Sequence, residues 1–118
     1  MRAISKKVKD QILEDPFYIR CARAAILKDH VCEGRITWEH ALIYAGKQMD
    51  EVFAIIPLCA LAHAVDFFQD RGILKKEIGV WIALNRMTPE DMARYPKRDW
   101  IRERDYLNSL YGVPNFDL

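Results

Sequence analysis

Histidine and cysteine are both scarce in this chain, with three of each in 118 residues. Cys21, Cys32 and Cys59 are an odd number in a chain without a visible export signal, so they point to thiols or metal ligands and not to a disulfide framework. No uninterrupted apolar run reaches the roughly 20 residues of a membrane-spanning helix. The N-terminal stretch MRAISKKVKDQILED carries charges where a secretory signal needs an apolar core. The expected compartment is therefore the cytoplasm, with no membrane partner. Internal repeats and low-complexity segments are also missing. What is present is an ordinary globular composition, 51% apolar and 30% charged. That argues against disorder and leaves enough chain for one domain, residues 1–118, to bury a core.

A net charge of +1 hides a segregation. Residues 1–30 hold seven Lys/Arg against four Asp/Glu, residues 31–70 two against six, and residues 71–104 nine against five. An acidic centre suits a cation and basic flanks suit a polyanion, a combination compatible with metal-assisted work on nucleic acid.

The pattern of elements is mostly helical around a small β unit. Ser5 is placed to cap a helix KKVKDQILE, which Asp15-Pro16 stops, and a second helix is expected from Phe17 to about Leu27. Arg35–His40 alternates polar and apolar residues, and Val52–Ile56 is a short apolar run ending at Pro57, so the two predict strands of a hairpin. Between them LIYAGKQMDE is expected to be a long loop bent at Gly46. LCALAHAVDFFQDRG predicts a helix ending at Gly72, with Leu58, Leu61, Val65 and Phe68 on one face and Cys59, His63, Asp66 and Asp70 on another. KKEIGVWIALNRM predicts a further helix. Thr88-Pro89-Glu90-Asp91 supplies a cap, an N1 proline and first-turn acids for a short one. Lys97–Tyr111 predicts the last helix, before the tail VPNFDL.

A strand ending in Glu39-His40, a second strand running into IIPLC, and a helix bearing His63 resemble the ββα-metal core of the HNH endonucleases. More narrowly, CEGRITWEHALIYAGKQ, FAIIPLC, HAV and VWIALNR resemble a group of small HNH-type proteins of bacteriophages and bacteria. The likeness spans roughly residues 20–90. It implies an α+β fold, mostly helical, with N-terminal helices over 1–30, the ββα core over 31–72 and C-terminal helices over 73–118.

The resemblance also implies roles. His40 falls at the general base, a task suited to an imidazole titrating near neutral pH. Glu39 falls at the first metal ligand and His63 at the second; Asp66, one turn after His63, is placed as a further ligand or an acceptor beside it on its position alone. One divalent ion, Mg²⁺ or Mn²⁺ with Zn²⁺ or Ni²⁺ as alternatives, would assist phosphodiester hydrolysis in DNA. Lys47, Gln48, Lys97, Arg98, Arg102 and Arg104 are the expected DNA contacts, made to the backbone and not to base edges. The family's middle asparagine falls at Ala54 here, so either another group, with Gln48, Asp50 and Glu51 nearby, holds the loop or activity is weakened. Ala62 stands where many relatives have a Cys or His of a zinc knuckle. Three cysteines with His30 make a poor four-ligand set, so the expectation is a core held by packing without structural zinc. Each residue also has a plainer role. His40 and His63 can be structural, Asp66 a solvated carboxylate, the cysteines small buried hydrophobes, and Trp38, Trp81 and Trp100 packing residues. KRDWIRER can be a solvated helix face. Two other functions therefore stay open, an HNH-like fold that binds DNA or a protein without cutting, and a small helical interaction protein. Monomer and homodimer are both left open.

Overall fold

The computed structural model describes residues 4–22, 34–59, 75–114 and 116. Ser5 caps helix α1 (Lys6–Glu14), its hydroxyl accepting from the amide of Val8. Val8 and Ile12, four residues apart on one face, are the positions α1 buries. Asp15 ends the helix. Pro16 then starts a single 3₁₀ turn, Pro16–Ile19, for which the Asp15 carboxylate is the cap. The helix expected to begin at Phe17 is broken here, because Arg20 is extended.

Strand β1 (Ile36–His40) pairs antiparallel with β4 (Ile55–Cys59), Trp38 opposite Pro57 and His40 opposite Ile55. The amide of Ala41 donates to the carbonyl of Ala54 at 2.7 Å, one step beyond the last pair. Antiparallel pairs alternate between bonded and non-bonded. Counting back from Ala41, Glu39–Ile56 and Thr37–Leu58 are bonded pairs. At His40–Ile55 and Trp38–Pro57 the peptide groups of β4 face away from β1, so the amide that Pro57 lacks is on the outer edge, where no ladder bond is lost.

The second strand thus starts three residues later than its apolar run suggested. Val52–Ala54 form a 3₁₀ turn, and Leu58 and Cys59 are strand and not the start of a helix. The expected loop also contains structure of its own, a hairpin of β2 (Ile43–Tyr44) and β3 (Lys47–Gln48). Its two-residue turn is Ala45-Gly46, with φ of 52° and 79°. Positive φ at both positions is the type I′ geometry that matches strand twist.

Helix α2 (Lys75–Arg86) lies against the strand end. A Cβ on Gly79 would come within 3.3 Å of Ile56 Cδ1 and 3.4 Å of Ala41 Cβ, so this glycine permits the close approach. Helix α3 (Pro89–Ala93) has the expected capping box, Thr88 and Asp91 bonding each other's amides at 3.1 and 2.9 Å. Helix α4 (Trp100–Tyr111) starts three residues later than its pattern suggested, at an Asp99 cap. Trp81 ties α2 to α4, donating to Asn108 Oδ1 at 2.9 Å and to the Gly112 carbonyl at 3.0 Å. The core joins Val8 and Ile12 of α1 to Phe53, Ile55, Leu58, Ile82, Leu84 and Trp100. The architecture is α+β, helices around two small antiparallel strand pairs. No helix among the described residues is long and apolar enough to cross a membrane.

Candidate functional site

Glu39 and His40 close β1 and are both half-buried. Nε2 of the His40 imidazole is shielded from solvent. The pleat sends neighbouring side chains to opposite faces, so Glu39 and His40 leave the strand on different sides. His63, Asp66, Cys32 and His30 lie outside the described residues, as does most of the helix expected over 58–72. Among the described residues no group of three or more His, Cys, Asp or Glu side chains could hold a metal ion. Cys21 and Cys59 are buried in the core, at 1% and 0% exposure.

The residues expected to meet DNA divide into two kinds. Lys47 and Lys97 are exposed and belong to neighbouring segments, for the Lys97 amide donates to the hydroxyl of Tyr44 at 3.1 Å. Arg102 is exposed near the start of α4. Arg98 is already engaged. Its guanidinium donates to the Ile43 carbonyl at 2.6 Å, forks onto Glu103, and lies 4.4 Å from the Trp100 ring centroid. Arg104 pairs with Asp105. Gln48 is half-buried and helps line an open polar depression of about 360 Å³ with Tyr44, Lys47, Asp50 and Tyr95. Tyr44 fixes the β2–β3 hairpin beside it, edge-on to Tyr95 at 5.0 Å and stacked on Trp100 at 6.0 Å.

The three tryptophans pack as expected. Trp81 and Trp100 are buried, and Trp38 is half-buried against the core.

Two of the residues considered for holding the loop have partners in other elements. Asp50 accepts from the amide of Ser5 at 3.1 Å, and Glu51 accepts from Tyr95 and Arg94. The group that does reach the 52–55 turn is Tyr18. Its hydroxyl is within bonding reach of the carbonyls of Val52 and of Ile55, the latter at 2.7 Å. Arg86, at the end of α2, donates to that hydroxyl at 2.6 Å and to the Asp15 carboxylate at 2.6 Å. The same guanidinium lies 4.0 Å from the Phe17 ring centroid. Burial pushes the Tyr18 phenol up to about 12, an effect that Arg86 partly opposes. Sequence reading missed this cluster. Tyr18 and Arg86 are 68 residues apart, and no local spacing joins them.

No family model, curated protein or solved structure matches the chain.

Proposed function

We propose that the protein is a metal-dependent HNH-type endonuclease that hydrolyses phosphodiester bonds in DNA. The observation that carries the reading is the antiparallel pairing of β1 with β4, which leaves Glu39 and His40 at one strand end. Just beyond β4 the sequence carries His63. The antiparallel strand pair and the order Glu39, His40, His63 along the chain support the reading, with Ala54 standing where the family has its middle asparagine.

In this reading His40 accepts the proton of the attacking water. The water oxygen bonds to phosphorus, the bond to the 3′ oxygen breaks, and the departing oxygen takes a proton from solvent. Glu39 and His63 would hold a divalent cation, which would supply charge stabilisation at the phosphate. Because Glu39 and His40 leave the strand on opposite sides, a phosphodiester served by both lies across the strand end and not over either face. Lys47 and Lys97 hold the DNA backbone alongside, while Arg98 contributes by fixing the hairpin.

The test is nicking of supercoiled plasmid with Mg²⁺, Mn²⁺, Ni²⁺ or EDTA, wild type beside a folded His40→Ala. Nicking that needs metal and falls at least a hundredfold in the variant is expected, in line with the usual contribution of a general base. Unaltered nicking in His40→Ala would remove His40 from its role. A well-folded wild type that never nicks would favour the second reading, a non-cutting HNH-like fold. A specific observation supports that reading too: Ala54 is fully buried and offers no polar side chain at the middle position.

A further inference from the structure

We propose that Tyr18 is a positioning residue for His40. Three elements meet at its hydroxyl. The 3₁₀ turn at 16–19 presents the phenol, α2 presents Arg86, which donates to it, and the 52–55 turn presents the carbonyls of Val52 and Ile55 as its acceptors. The phenol has one proton, which the carbonyls of Val52 and Ile55 share as a three-centre bond. Asp15 holds Arg86 from the far side and also caps the 3₁₀ turn from which Tyr18 projects. The clamp is therefore closed on itself, each member held by another.

What the clamp holds is the strand end. Ile55 is the residue directly across from His40, and the Ala54 carbonyl takes the amide of Ala41, the residue after His40. The carbonyl of Ile55 points away from β1, toward the outer edge where Tyr18 meets it. Tyr18 thus holds from outside Val52 and Ile55, which bracket the Ala54 carbonyl that bonds the residue after His40. It acts on His40 through the backbone.

The catalytic consequence rests on the nuclease reading, but the structural one does not. Tyr18→Phe removes the hydroxyl and keeps the ring, which packs edge-on against Phe17 at 5.2 Å, so the variant retains its fold. Amide hydrogen exchange and the His40 ring resonances are followed by NMR in wild type and Tyr18→Phe. Exchange at Ala41 is expected to quicken about tenfold, and the His40 resonances to move, while the Gly112 amide, bonded to the Asn108 carbonyl at the end of α4, keeps its wild-type rate. Equal acceleration at both amides would make Tyr18 a general stabiliser and overturn the proposal, as would no change at Ala41. In the nicking assay, kcat for Tyr18→Phe is expected to fall about tenfold with KM unchanged, and a wild-type kcat would also overturn it. A wild type that does not nick defeats the nuclease reading alone, and the exchange experiment still decides for or against the clamp.

Discussion

Arg86 combines interactions that individually are modest. It is an ion partner of Asp15, a donor to Tyr18 and a cation over the Phe17 ring, with its side chain 16% exposed. Replacing it by alanine leaves the half-buried Asp15 carboxylate with the Phe17 amide but without its cation, and losing such a charge-assisted bond destabilises by about 1.5–3 kcal/mol. Arg86→Ala should lower the urea midpoint accordingly. Arg86→Lys should recover less than half of the loss, since an ammonium keeps the charge but not the planar fork or the stacking. A lysine variant as stable as wild type would show that charge alone matters. Local chemistry at this scale was readable from sequence where it spans a few residues. Ser5 and the Thr88–Asp91 box were legible because a cap and its amide are three positions apart. The Tyr18–Arg86–Asp15 cluster was not, because its members meet only through tertiary packing.

At the scale of elements, the errors have one cause. VFAIIPLC is continuously apolar, and a continuous run carries no period from which to place a strand's start. Proline was taken as a terminator, whereas in β4 it sits mid-strand with its missing amide turned outward. The nested β2–β3 hairpin was hidden for a related reason: Ala45-Gly46 lacks the asparagine or aspartate that usually marks a type I′ turn. Alanine at a φ of 52° is strained by roughly 1 kcal/mol relative to residues that tolerate this region. Ala45→Asn should therefore stabilise the protein by up to about 1 kcal/mol, read as a higher urea midpoint with an unchanged slope. The opposite test is Gly79→Val. Side-chain atoms forced between α2, Ala41 and Ile56 should destabilise by about 1–3 kcal/mol, and a neutral result would mean that α2 can move outward without loss.

For the whole molecule, alkaline pH exposes how the phenols are used. Burial raises Tyr18 to about 12, and burial together with the hydrogen bond to Glu51 does the same for Tyr95. The bond Tyr111 makes to Glu77 is the main reason its phenol is also raised. A phenol whose ionisation is suppressed on folding contributes stability that is complete below pH 10 and is lost as pH rises toward 12, because the unfolded chain ionises first. For Tyr18 the loss approaches about 2–3 kcal/mol across that window. Urea unfolding of wild type and Tyr18→Phe at successive pH values should show a shallower alkaline limb in the variant, and parallel limbs would contradict it. The overall class, α+β with helices around a small strand pair, was legible from hydrophobic patterning. Which side chains face each other across the core was not, since patterning locates faces but not neighbours.

The outer edge of β4 has one more effect. Tyr18 occupies the carbonyl of Ile55, and Pro57 offers no amide, so two successive attachment points along that edge are closed to an incoming chain. A fully buried, β-branched segment such as IIPLC is the kind that seeds intermolecular strand addition when a molecule opens transiently. The proline stays in place even when the tyrosine clamp lets go, which makes it a guard against aggregation that does not depend on the fold being closed.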